Sequence, residues 1–168
     1  MITPAYARMM ARYNQWQNTN LYDAADTLDE NTRREETGVW FGSIFATFNH
    51  LIWADRYWMY RFTGSKKPAG GMAESRFVYD TWPDLRQART ELDHSILNWA
   101  ETIDPAWLSG EISWFSGSKQ AVITQPTAQA VTHFFNHQTH HRGQIHALLT
   151  RFGCKPHDTD LIFLEIEN

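Results

Sequence analysis

The sequence predicts an all-α protein, a four-helix bundle in one domain spanning 1–168, and three observations carry that prediction. Apolar residues recur at intervals of three and four in four separate stretches. Three of those stretches open on helix-start signals, at Thr3-Pro4, Thr81 with Pro83, and Pro126. The 168 residues, 42% hydrophobic and 14% aromatic, suffice for one substantial core.

The first helix starts at Thr3-Pro4, where threonine offers a capping oxygen and proline loses no needed donor. Met9, Tyr13, Trp16, Asn20 and Ala24 carry its stripe to about Leu28, ahead of the charged stretch Asp29 to Glu36. The second helix runs from Gly38 to Phe62. Ile44, Phe45, Phe48, Leu51 and Ile52 form its stripe, and Trp40, Trp53, Tyr57 and Trp58 cover other sides, the pattern of a helix buried at the centre of a fold. Gly64 to Gly71 reads as a loop. In the third helix, Thr81 and Asp84 are spaced as in a capping box, Leu85, Ala88, Leu92, Ile96 and Trp99 form one face, and the helix stops before Asp104-Pro105. Ile103 to Gln125 admits two readings: short strands at Ile112–Trp114 and Ala121–Thr124 around a Gly117-Ser118 turn, or a long irregular cover over the bundle end. The fourth helix opens at Pro126. Its seam, Val131, Phe134, Gln138, His141, Ile145, Leu148 and Phe152, leads to stop signals at Arg151, Gly153 and Pro156. The tail, Asp158 to Asn168, carries Leu161-Ile162-Phe163-Leu164, read as docking on the bundle.

Composition excludes several function classes. A net charge of -4 supplies no basic surface for nucleic acid. Thr37 to Ala54 lacks Asp, Glu, Lys and Arg, but Gly42, Ser43, Thr47, Asn49 and His50 make it a buried helix rather than a membrane span. One cysteine, Cys154, rules out an internal disulfide framework and Cys-rich metal sites. The opening Met-Ile-Thr-Pro-Ala-Tyr has no basic stretch followed by an apolar one, so the expected location is cytoplasmic.

Five of the eight histidines lie between His133 and His146. His141 occupies the seam itself, and His137 is one turn earlier, offset by about 40°, so both imidazoles can point at one spot. His133 lies about 80° and His140 about 100° from His141, so neither is as well directed. A durable metal site needs a third ligand from a neighbouring helix. His50 qualifies, set among Phe48, Leu51, Ile52 and Trp53, whereas His94 sits beside Asp93 and Ser95 and His157 follows the last helix. The spacing therefore nominates His50, His137 and His141. The residues alone leave a second reading open, since a single buried histidine is commonly a hydrogen-bonded core residue. A zinc-peptidase helix would need Glu after its first His; Gln138 stands there, and an amide cannot take a proton from water. Asp55, between Ala54 and Arg56, reads as the partner of Arg56 or Arg142 rather than as a base.

The string His133-Phe-Phe-Asn-His-Gln-Thr-His-His-Arg-Gly-Gln144, with Phe48-Asn-His-Leu-Ile-Trp-Ala-Asp55, Leu108-Ser-Gly and Asp158-Thr-Asp160, closely resembles the DinB/YfiT-like family, whose members are taken to be metalloenzymes. The resemblance implies an up-down-down-up four-helix bundle, commonly a homodimer, with one divalent metal ion on three histidines matching His50, His137 and His141. Zinc or nickel is the implied ion, with iron or manganese as alternatives. It further implies a small-molecule substrate, in some relatives a low-molecular-weight thiol used in an S-transferase or isomerase reaction. The leading expectation is thus a metal-dependent transferase, or failing that a hydrolase, with no catalytic residue assigned. Gln138 and Asn136 are candidate contacts around the metal and Arg142 a candidate anion contact. The alternative is a non-catalytic metal-binding stress protein acting through dimerisation or a partner, on exposed Trp residues of the second helix or near Trp114.

Overall fold

Four long helices make up most of the structure, a computed structural model that describes residues 2–117 and 119–165. In chain order the elements are α1 (Pro4–Asp26), the short α2 (Glu30–Arg34), α3 (Ile44–Thr63), α4 (Trp82–Glu101), the short α5 (Pro105–Ser109), strands β1 (Glu111–Ser116) and β2 (Ala121–Pro126), and α6 (Thr127–Arg151). Single 3₁₀ turns occupy Glu74–Phe77 and Leu161–Phe163. The chain is mostly helical rather than all-α, because the stretch before the last helix is an antiparallel hairpin, the first of its two expected readings. Ser118 of the expected turn and residues 166–168 of the tail lie outside the described residues.

The helix starts follow the capping chemistry. Thr3, Ser43 and Thr81 each accept a backbone N–H from three residues on, at Tyr6, Ala46 and Asp84. Ser43 is the cap of α3, so Gly38 to Phe41 are not helical as expected. They form a turn closed by the Val39–Gly42 bridge. Gly42 has φ +93°, a backbone conformation that strains any residue with a Cβ, so the turn favours glycine there. Two short helices escaped the pattern reading. Asp29 caps α2 within the charged stretch, and Asp104 caps α5 ahead of Pro105.

Each long helix packs on two others: α1 on α4 and α6, and α3 on α4 and α6. Contacts at both ends fix the directions. The end of α1 meets the start of α4 through Asp26–Trp82 and Asp26–Arg86, and its start meets the far end through Arg8–Glu101. Helices α3 and α4 run side by side, with Phe45 near Trp82 and Phe62 stacked on Trp99. Helix α6 runs against α3, placing Phe134 on Phe62 and His141 beside His50. It runs with α1, through Tyr6–Phe135 and a hydrogen bond from Arg142 to Asn14.

The buried face of α1 differs from its expected stripe. Ala7, Met10, Ala11, Asn14, Gln17, Asn18 and Leu21 point inward, while Met9, Trp16 and Ala24 are only partly buried. Polar side chains occupy the interior because they have partners there. Asn14 and Asn18 donate to Asp93, and Gln17 and Asn20 hold the backbone of the tail at His157 and Asp158. The tail docks through these polar contacts and through Leu161 and Leu164, whereas Ile162 and Phe163 are exposed. No helix among the described residues is long and apolar enough to cross a membrane.

Candidate metal centre

Helix α3 contributes His50, buried among Phe41, Phe48, Leu51 and Ile52. The Gly42 turn lays the Phe41 ring flat on the His50 imidazole, 3.8 Å between centroids, and presents its edge to His141. Helix α6 contributes His137 and His141 from successive turns. The Nε2 atoms converge: His50 to His137 is 3.4 Å and His141 to His137 is 3.2 Å. The three sequence-nominated residues are thus brought together, one nitrogen of each within 4.8 Å of the others, an arrangement compatible with holding a metal ion. His133 and His140 lie outside it, both exposed.

Two of the rings are oriented by partners on their other nitrogen. Ser75 Oγ lies 2.9 Å from His50 Nδ1 and donates its one proton to the Met72 carbonyl at 2.7 Å. Toward His50 that hydroxyl can only accept, so Nδ1 carries the proton and Nε2 presents a lone pair. His141 Nδ1 lies 2.7 Å from Gln144 Oε1, an acceptor, while the Gln144 amide reaches His140 at 3.3 Å. The His141 Nε2 lone pair is therefore also free to face inward. Bracing of the second nitrogen in this way is what metal-binding histidines generally have.

Proton counting shows what the cluster lacks. With His50 and His141 both protonated on Nδ1, only His137 can supply a proton between the three Nε2 atoms. One proton cannot satisfy both short contacts, so one pair of buried lone pairs faces another without a donor. Extra protons are not available near neutrality. Burial, reinforced by the neighbouring imidazoles, lowers His50 to about 3 and His137 to about 3. Burial also lowers His141, against the opposing effect of Gln144. Three uncharged imidazoles with converging lone pairs are the form that ligates a cation.

Two clefts meet at the triad. One, about 340 Å³, is bordered by Trp40, Phe41, Met72 and His140. The other, about 680 Å³, is walled by Trp53, Tyr57, Trp58, Trp114 and Met72, with His50 and His137 on its floor. Trp53 and Tyr57 are half-buried rather than sealed in a core, so α3 turns one aromatic face to open space.

The structure relocates the other expected contacts. Asp55 pairs with Arg89 at 2.6 Å, not with Arg56 or Arg142, because α4 brings Arg89 into the interior. Asp55 lines neither cleft. Arg142 is buried against Asn14 and Thr139 and stacks over Tyr13, so it is no anion contact. Gln138 is buried toward Asp55, and Asn136 is exposed. Ser75, Gln144 and Phe41 were not singled out beforehand. The cap-forming Ser43 after Gly42 signals the turn that carries Phe41. Gln144 lies three residues past His141, on the same helical face. Nothing in the sequence marks Ser75. A family model described as DinB family matches residues 1–167. No curated protein matches the chain.

Proposed function

The chain belongs to the DinB family, and from that footing we propose that it is a metal-dependent enzyme acting on a small molecule. In this reading His50, His137 and His141 hold one divalent metal ion inside a four-helix bundle of up-down-down-up course. The carrying observation is the unsatisfied set of converging Nε2 lone pairs at the foot of an open aromatic cleft. When bound, such an ion supplies a Lewis acid that lowers the pKa of a thiol or a water molecule toward neutrality. The protein does the rest. Ser75 and Gln144 orient two of the rings, Phe41 shields them from water, and the aromatic walls bind the substrate and exclude solvent. Among the described residues no carboxylate lines either cleft, which favours thiol-dependent transfer or isomerisation over a hydrolase needing a carboxylate base. Zinc and nickel suit three imidazoles, as do iron and manganese at lower affinity, and the donor set does not choose among them.

Elemental analysis of protein purified without an affinity column tests the ligand set. The wild type should carry one equivalent of metal, and His50→Ala, His137→Ala and His141→Ala essentially none. Full occupancy in His50→Ala and His141→Ala would overturn the assignment. A panel of thiols and electrophiles, with His137→Ala as the blank, tests the activity. One observation favours a second reading, in which the metal braces an interaction surface. Trp40 is 82% exposed and Met72 59% exposed at the edge of the smaller cleft. Under that reading the metal raises the melting temperature and drives self-association, with no turnover of any pair in the panel.

A further inference from the structure

The larger cleft has a cationic end. On α3, His50, Tyr57 and Arg61 are spaced by seven and four residues, so they share one stripe. Arg61 stands about 16 Å along the axis from His50 and about 20° around it. Its guanidinium carbon lies 4.4 Å from the Trp58 ring centre, 4.6 Å from Tyr57 and 5.0 Å from Trp114. Among the described residues no carboxylate pairs with it, and its Nε is buried without a hydrogen-bond partner. Among the described residues no Asp or Glu lines the cleft or the depression beyond Arg61. Lys67, over the Tyr57 ring at 5.6 Å, adds a second positive charge there.

Three aromatic faces compensate part of the desolvation of a guanidinium, but they use none of its N–H donors. A planar fork of donors in an apolar, acid-free wall matches a carboxylate, which accepts two parallel N–H bonds. The arginine head lies over the rings of Tyr57 and Trp58, one turn back along α3, and so points toward His50.

We propose that this cleft binds an elongated small-molecule monocarboxylate with an apolar or aromatic body. The carboxylate sits on Arg61, the body lies along the wall of Trp53, Tyr57 and Trp114 against Met72, and the far end reaches His50 and His137. The proposal rests on reading the triad as the reactive centre, although the part played by Arg61 needs no metal. It makes Arg61 the residue that selects acids over their neutral analogues.

Isothermal titration of 4-phenylbutyrate against its neutral amide, 4-phenylbutyramide, tests it, with zinc-loaded and chelator-stripped protein run side by side. The acid should bind at least about tenfold more tightly than the amide in both forms. Arg61→Gln should bring the acid down to the level of the amide while leaving amide binding and zinc content unchanged. Arg61→Lys should restore part of the preference, since a point charge replaces a fork. The inference fails if acid and amide bind alike, if neither binds, or if the preference survives in Arg61→Gln. Failure of the metal assignment is separately visible, as zinc absent from the wild type while the acid preference persists.

Discussion

Ser75→Ala removes one oxygen that touches no substrate and no metal, yet it should weaken metal binding by 10- to 100-fold, about 1.4–2.7 kcal/mol. His50 is 1% exposed and Ser75 is fully buried, so water cannot replace the lost acceptor. The variant then faces two unfavourable options. It can keep the proton on Nδ1, leaving a buried donor unpaired at a cost of about 1–3 kcal/mol. Or it can move the proton to Nε2, which trades the unpaired donor for an unpaired acceptor at Nδ1 and withdraws the lone pair from the triad. Either way the ligating tautomer loses the stabilisation it now has relative to the other. Competition with a chromophoric zinc chelator at pH 7.5 measures the change directly. A thermal melt of the chelator-stripped variant separates general destabilisation from the tautomer effect. Zinc affinity within twofold of the wild type, in a variant with an unchanged melt, would refute the claim that Ser75 sets the proton on His50.

Three further outcomes are expected. Chelator-stripped protein should lose stability steeply as pH falls below about 6.5. His50 and His137 are held near 3 when folded and return to 6.5 when unfolded, so the unfolded chain binds more protons across that window, at up to about 1.4 kcal/mol per pH unit per group; urea unfolding at pH 7.5, 6 and 5 should show this, with a shallower slope in His137→Phe. Asn20→Ala should free the tail held by the His157 carbonyl (3.0 Å) and N–H (2.7 Å), costing about 1–3 kcal/mol and speeding proteolysis after residue 155, and an unchanged cleavage rate would contradict this. Asp55→Leu should destabilise by about 3–5 kcal/mol by leaving Arg89 under-neutralised, while Asp55→Leu with Arg89→Met should recover much of that but still bind zinc more weakly; a double variant with wild-type zinc affinity would show that the buried charges do not position the triad.

The legible parts of the sequence were those with a strong period or a strong cap. The seam of α6 and the stripe of α3 placed His141 and His50 correctly, because apolar neighbours at helical spacing leave little choice of face. Thr3-Pro4, Thr81 and Asp104-Pro105 marked real boundaries because capping is local chemistry. Reading failed where long-range partners decide the outcome. Asn14 and Asn18 on α1 look like surface residues, and only Asp93, far along the chain, makes them interior. Arg89 looks like the outer face of α4 until Asp55 and Asp93 surround it. Gly38 to Ser43 was absorbed into a helix because its Trp and Phe continued an apolar run, although Gly42 and Ser43 are stop-and-start residues. Ser75 belongs to a loop whose position is set by contacts to α3, such as the Tyr79 N–H on the Asn49 side chain, that have no sequence period.

The buried charges explain why two helices from different parts of the chain can present three nitrogens to one point. Asp55 lies little more than one turn beyond His50 on α3 and pairs with Arg89 on α4. Arg89 also pairs with Asp93 at 2.8 Å, and Asp93 accepts from Asn14 and Asn18 on α1. Asn14 in turn accepts from Arg142 on α6, the residue next to His141. One continuous polar chain therefore touches all four long helices, starting beside one member of the triad and ending beside another. Its two carboxylates and two guanidinium groups balance in charge, and although burial leaves the Asp55 carboxyl above its ordinary range, the Arg89 charge opposes that rise. Apolar surfaces tolerate sliding by a fraction of a turn, since hydrophobic contact has no direction. Ion pairs at 2.6–2.8 Å do not, because a slip of that size leaves buried charge unpaired. The network fixes α3 against α6 through α4 and α1, and the convergence of the three Nε2 atoms follows from that fixed register.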